Sequence, residues 1–298
     1  MPHVRFFGAA FLFLVMAVHC AVGQTVRLSV YQGNIEWTIG WFSSSEDVRI
    51  DLAHLHTDYP GFEFIRVGDT ATPQGDVARI SVYRSAAIEV PATVKILVGA
   101  AESNGRFPVA PDADLLPGCR HWGLPLTPGG PDDAFVIEGS VPEGTKVILA
   151  AAINGDLTGK ITTGQVFRLQ VRDGVIADDV RATWPSGSPE LDTDTSLSYA
   201  IEYIEAKSIT GRIIAGDETG PPVNPLPVHC SIRDIRVGVG YEETTQGIRG
   251  DIDAFGGHVR NVESAGDIGT AQVPVKINTG PGVAGNTPRA TPASAGTG

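Results

Sequence analysis

Two short apolar patterns alternate through the second half of this chain, and they constrain its fold more than any other feature. The first has the form apolar-x-x-x-apolar-x-small. It occurs as LTGKITT (157–163), IADDVRA (176–182), ITGRIIA (209–215) and IRGDIDA (248–254). The second has the form apolar-x-x-apolar-x-apolar or small. It occurs as VFRLQV (166–171), IEYIEA (201–206), IRDIRV (232–237) and VRNVES (259–264). Each segment is too short for a helix and suits a strand of about four to seven residues. From Ile161 to Val180, Ile213 and Ile252 the steps are 19, 33 and 39 residues. A unit that keeps its apolar pattern while accepting such different insertions is a stacked coil with loops at its corners. Its Ile and Val residues would stand on those of the next coil as ladders, with strands hydrogen-bonded between coils. Gly159, Gly211 and Gly250 share one repeat position, where a turn is tight or a side chain would clash. Asp178 holds that position in IADDVRA. In the last full copy, Ile248, Ile252, Val259 and Val262 are expected to face inward. Asp251, Asp253, Arg260 and Glu263 are expected to face outward.

The first half is β-rich but less regular. Strand-like runs are TVRLSVY (25–31), DVRIDLAHL (47–55), VARISVY (77–83), ATVKILV (92–98), AFVIEGSV (134–141) and TKVILAAAI (145–153). FEFIRV (62–67) and VARISV (77–82) are weaker copies of the second pattern. With 36 Gly, 21 Pro and few aromatic residues, the composition favours many short strands joined by turns. No helical period is evident beyond the N-terminus. The expected fold is all-β: a parallel β-helix over 151–277, preceded by a β-rich region (24–150) that is either sandwich-like or made of irregular coils. A Pro- and Gly-rich insertion occupies 102–133, and the small and polar residues of 278–298 read as a disordered tail.

Arg5 precedes the apolar run FFGAAFLFLVMAV (6–18), which is too short to span a bilayer. Ala21-Val22-Gly23 then places small residues as at a cleavage site, so 1–23 reads as a secretory signal peptide and Gln24 as the first mature residue. His19 before Cys20 disfavours lipidation. No second long apolar run follows. The chain is therefore expected to be secreted, whether extracellular, periplasmic or at the cell surface, with no transmembrane span after cleavage. The net charge of −12, with no basic run, argues against a nucleic-acid partner. Cys119 and Cys230 remain after cleavage and are candidates for a disulfide in an oxidising compartment.

The repeat resembles the right-handed parallel β-helix proteins. Lines such as GRIIAGD, GDIDA and SAGDIG look like those of the Gly- and Ile-rich secreted repeat proteins of planctomycete-type bacteria. That resemblance covers about 153–277 and implies a solenoid without implying an activity. Secreted polygalacturonase-type hydrolases, which share the coil, carry NTD, DD, GHG and RIK motifs in that order. This chain has Asn154-Gly155-Asp156, Asp178-Asp179, Gly257-His258 and Lys276-Ile277. The likeness would make Asp156, Asp178 and Asp179 the acid and the water-activating groups, with His258 beside them. The departures are that Thr is missing, Val259 follows His258, and no Arg precedes Ile277. The repeat also explains these residues structurally. Asp179 shares its slot with Lys160, Arg212 and Asp251, and His258 shares its slot with Gln165, Ala200 and Ser231.

Two metal readings compete with bland ones. Asp251, Asp253, Glu263 and Asp267 offer oxygen ligands for calcium, but the nonapeptide and EF-hand spacings are absent. Solvated acids at sheet edges are the preferred reading of them. His54 and His56 would share one face of a strand as a zinc pair, with Cys119 and His121 completing four ligands. Partly exposed strand histidines are the default reading, and Trp122 is expected to anchor its loop. No GxSxG, GxGxxG, P-loop or HExxH motif occurs. The expectation is a non-enzymatic secreted scaffold or binding protein. Its function would lie in the insertions 183–200, 216–231 and 238–247, or in a polysaccharide or surface protein docking on the coil. The alternative is a polysaccharide-active enzyme of pectin lyase or polygalacturonase type, or a carbohydrate-binding β-helix protein.

Overall fold

The computed structural model describes residues 25–43, 47–68, 77–99, 133–142, 144–183, 199–216, 231–239, 246–255 and 257–279. The alternating segments form two long sheets, with strands numbered here in chain order. Sheet A contains β1 (Thr25–Gln32), β2 (Ile35–Ser43), β4 (Phe64–Val67), β6 (Thr93–Val98), β8 (Lys146–Asn154), β10 (Gln165–Ile176), β12 (Ile201–Ile209), β14 (Ile232–Val237) and β17 (Val259–Ser264). Sheet B contains β3 (Val48–Asp51), β5 (Ile80–Tyr83), β7 (Asp133–Ile137), β9 (Lys160–Thr163), β11 (Val180–Ala182), β13 (Ile213–Ala215), β16 (Ile252–Ala254) and β18 (Ile277–Thr279). From β3 onward the chain passes back and forth between the sheets, and all neighbours within a sheet are parallel. Each pass through both sheets is one coil.

The registers confirm the ladder pattern. Val166, Ile201, Ile232 and Val259 align across sheet A, as do Leu169, Ile204, Ile235 and Val262. Val48, Ile80, Phe135, Ile161, Val180, Ile213, Ile252 and Ile277 form one ladder through sheet B. The first apolar residue of the first pattern makes a third ladder. Leu157, Ile176, Ile209, Ile248 and Ile268 pair in sequence, with Ile248 lying in the two-residue strand β15 (Gly247–Ile248). Almost all of these side chains are fully buried in one core. Each fully buried one contributes about 1.5–3 kcal/mol of transfer free energy relative to exposure.

The N-terminal half, for which the sequence leaves sandwich and coil open, pairs as coils. β4, β6 and β8 are parallel in sheet A, and β3, β5, β7 and β9 in sheet B. Both sheets therefore pass residue 151 without interruption. β1 adds antiparallel to β4, and the β1–β2 hairpin extends sheet A beyond the first coil. β2 is an edge strand that leaves Ile35 and Trp41 exposed. At the opposite edge β17 exposes Asn261 and the charged Arg260 and Glu263, side chains of the kind that discourage edge-to-edge pairing.

Three local expectations are corrected. DVRIDLAHL is not one strand: β3 stops at Asp51, and Leu52–Asp58 form helix α1. The Asp51 carboxylate caps that helix by accepting from the Ala53 backbone N–H at 3.1 Å, and Leu52 and Leu55 enter the core. VARISV, expected as a copy of the sheet A pattern, supplies β5 of sheet B, because Ile80 continues the Val48 ladder. Asn278 and Thr279, expected in a disordered tail, belong to β18 and pair with β16. The rest of the tail, the segment 1–23, residues 102–132, Cys119 and Cys230 lie outside the described residues. No helix among the described residues is long and apolar enough to cross a membrane.

Candidate functional site

The corners of the coil decide what the sequence candidates can do. Asp156 lies between sheet A and the third ladder, and its carboxylate accepts from the Val175 backbone N–H at 2.9 Å. Asp178 and Asp179 lie at the next corner, between the third ladder and sheet B. Asp178 accepts from the Asp179 N–H at 2.7 Å, and Asp179 from the Arg212 N–H at 3.1 Å. His258 lies at the last corner, between sheet B and sheet A. Its backbone N–H donates to the Ser231 hydroxyl at 3.1 Å, and its Nδ1 is 3.0 Å from that hydroxyl. The four residues are thus spread over three corners rather than brought together. Asp251 repeats the Asp179 arrangement in the same slot two coils along, accepting from the Lys276 N–H at 2.8 Å. At this corner a carboxylate satisfies a backbone donor of the next coil and adds to the backbone bonds that join the coils there, such as Val180 N–H to the Arg212 carbonyl.

The other metal candidates are also engaged. Asp253 points outward as expected, yet it is buried, ion-paired with Arg212 Nη2 at 2.7 Å and bonded by the Asn278 amide. Glu263 pairs with Arg236, and Asp267 with Arg249. His54 and His56 sit on helix α1, not on a strand, so their spacing puts them on different sides. His54 is exposed and lies 3.3 Å from the Asp58 carboxylate. His56 is half-buried. Among the described residues no three His, Cys, Asp or Glu gather as a metal cluster.

The most concentrated polar chemistry is on the outer face of sheet A, across β10, β12, β14 and β17. Two rows run from coil to coil. In one, Gln170 Nε2 donates to Glu205 at 2.8 Å, the Tyr203 hydroxyl donates to the same oxygen at 2.9 Å, and Arg236 reaches Glu263 at 3.6 Å. Arg168 and Arg236 lie over the Tyr203 ring, 4.9 and 5.7 Å from its centroid. Burial and the neighbouring Glu205 push the Tyr203 phenol far above its ordinary value. In the other row, Arg233 bridges Glu202 at 3.2 Å and Asp234 at 3.3 Å, and Asn261 donates to Asp234 at 3.2 Å. Glu202 is fully buried, and burial pushes its carboxyl up to about 7 against the opposing pull of Arg233.

This face meets the corner where two insertions are rooted. The chain leaves sheet B after Ala182 and again after Ala215, and returns at Tyr199 and Ser231 on consecutive coils. The leaving ends are stacked: the Thr183 N–H donates to Thr163, Gly216 to Ala182 and Phe255 to Ala215. The returning ends are stacked as well: Val166 bonds the Ala200 carbonyl, Ile201 that of Ser231, and Ile232 that of His258. Gln165 Nε2 donates to the Tyr199 carbonyl at 2.7 Å, and the Tyr199 N–H donates to Glu202 at 3.3 Å. The Tyr199 ring meets His258 edge-on, with centroids 5.6 Å apart. Burial, then the charge of Arg260, lowers the His258 pKa and favours the neutral ring. His258 is therefore part of a clamp on the insertion roots.

Sequence reasoning missed Glu202, Arg233 and Tyr199. The signal was present: in the aligned copies IEYIEA and IRDIRV, opposite charges occupy one slot on adjacent coils. Compared with family models, with curated proteins and with solved structures, the chain gives no match.

Proposed function

We propose that this chain is an exported, non-enzymatic binding scaffold, in which the coil is a rigid frame and the insertions 183–200 and 216–231 carry recognition. The observation that carries this reading is the shared corner: both insertions leave and return on consecutive coils, and their return points are fixed by Gln165, Glu202, Ser231 and His258. Loops set side by side on a stiff frame are a common way of building a binding surface. The engagement of Asp156, Asp178 and Asp179 with backbone N–H groups supports a structural rather than a catalytic role for them. The leader-like 1–23 segment and the resemblance to secreted repeat proteins support export, with a polysaccharide or a surface protein as partner.

The test replaces 184–198 and 217–230 with the one-glycine crossing that joins β9 to β10. Retention on immobilised polygalacturonate and on a neutral glucan is then measured, with product analysis of both. The variant should keep its strand circular dichroism and a cooperative melt, while retention of the native chain on one of these polymers falls to background in the variant. Undiminished retention by the variant would refute the reading. Release of oligosaccharides by the native chain would replace it with the polysaccharide-cleaving alternative.

A further inference from the structure

Ser29 on β1 and Arg66 on β4 face each other across the antiparallel pair. Their neighbours Leu28, Val30, Ile65 and Val67 enter the core, so Ser29 and Arg66 both project from the outer face of sheet A. Cβ atoms so opposed are about 4.5–5.5 Å apart. Ser29 is 0% and Arg66 5% exposed. Arg66 Nη1 donates to the Tyr31 hydroxyl at 2.8 Å, and the guanidinium lies 5.6 Å from the centroid of the Tyr31 ring. Arg66 Nη2 and Ser29 Oγ are both buried without a hydrogen-bond partner.

The two orphans differ in kind. A water can satisfy a hydroxyl, but it leaves a permanently charged guanidinium uncompensated. Glu36 stands opposite Tyr31, yet it is bound by Arg27 and touches Arg66 only through the Tyr31 phenol. Among the described residues the floor beside Arg66 is apolar, while Thr38 stands opposite Ser29 and Lys95 lies further along the face, in register with Ile148. Leu97 is in register with Arg66, Phe64 stacks on Tyr31 at 4.5 Å, and both belong to an outer-face cluster with Ile148, Ala150 and Phe167. One unmatched cation with two free donors and an apolar floor suits a singly charged, planar oxyanion on an aliphatic body. A doubly charged phosphate would bring more charge than one guanidinium offsets.

We propose that Ser29 and Arg66 form a buried site for the carboxylate of a small aliphatic acid, with Arg66 Nη2 and the Ser29 hydroxyl donating to its oxygens and Leu97 and Phe64 packing its chain. The site lies on β1 and β4, away from the insertion roots, so it stands or falls independently of the function proposed above.

The test uses the full chain in a low-salt zwitterionic buffer, with butyrate, acetate, chloride and sulfate as probes. The melting temperature of the native protein should rise saturably with butyrate and, at equal concentration, less with acetate. Without carboxylate, Arg66→Leu should melt at or above the native protein, because an uncompensated buried charge has been replaced by an apolar side chain. Saturating butyrate should reverse that order. Ser29→Ala should bind butyrate about tenfold more weakly, as loss of one hydrogen bond to a charged group implies. Line broadening of 13C-labelled butyrate supplies the affinities, and Ser29→Ala carries the comparison if Arg66→Leu does not fold. The proposal is overturned by absence of a saturable response, by an equal response in Arg66→Leu, or by a response confined to chloride and sulfate.

Discussion

At Gly211 and Gly250 the coils approach so closely that no side chain fits. A Cβ at Gly211 would stand 2.1 Å from the Asp178 carbonyl oxygen, and one at Gly250 1.8 Å from that of Gly211. Backbone on the neighbouring coil would have to move. Gly211→Ala or Gly250→Ala should therefore lose on the order of 3 kcal/mol in urea unfolding, as overpacking does. Gly33 is the control: its φ of 58° is left-handed, but nothing lies within 4 Å of a Cβ there. Gly33→Ala should lose only about 1 kcal/mol, the cost of the backbone conformation. Equal losses at the two kinds of site would contradict the close approach. This column was legible as a repeated slot, since only its geometry required the neighbouring coil. The pairing of Glu202 with Arg233 was legible in the aligned copies, but the burial of Glu202 was not, because it depends on what covers the outer face of sheet A and not on local pattern. Its carboxyl is held up to about 7, against an ordinary value of 4.5. The folded state thus holds a proton that the unfolded state has released. The contribution is complete below about pH 4.5 and is lost as pH rises through 7. The difference in unfolding free energy between the native protein and Glu202→Gln should fall by on the order of 3 kcal/mol from pH 4.5 to 8. His258 acts in the opposite sense. Its lowered pKa contributes stability above its ordinary value of 6.5 that is lost as pH falls, and it cancels in the comparison because both proteins contain it.

At the scale of the element, period identified strands well and assigned them to sheets poorly. IRDIRV and VRNVES fall on sheet A because the same apolar spacing recurs beside the same corner. VARISV matches that spacing too, yet it lies in sheet B, since a period-2 pattern says which side of a strand is apolar and not which sheet receives it. The third ladder was hidden inside the first pattern for the same reason: Leu157 and Ile161 read as one segment but pair with different neighbours. Helix α1 carried a readable start, an Asp before an apolar pair three residues apart, but the alternation of VRID ran into it. The Asp51 carboxylate also accepts from the Ser85 N–H at 3.0 Å, so one side chain caps the helix and ties it to the next coil. Asp51→Ala should lose about 1–2 kcal/mol by chemical denaturation, while Asp51→Asn, which keeps an acceptor, should lose less. Equal losses would mean that the cap is not what holds α1 in place.

For the molecule as a whole, one uninterrupted stack of coils runs from β3 to β18, with sheets A and B shared by both halves. Proline- and glycine-rich sequence at 102–133 suggests a boundary, yet β6 pairs with β8, and β5 with β7, across it. Composition cannot distinguish a linker from an insertion whose ends meet in the same sheets; only the register can. A frame of this kind has no separate domain to yield first, so its coils should open progressively from the ends. Native-state amide hydrogen exchange tests this most directly. Protection should be highest in β8, β10 and β12, and should decline coil by coil toward β4 on one side and β17 on the other, with no step between β6 and β8. Two separate maxima, with β3–β6 exchanging in their own cooperative event, would contradict the continuous coil.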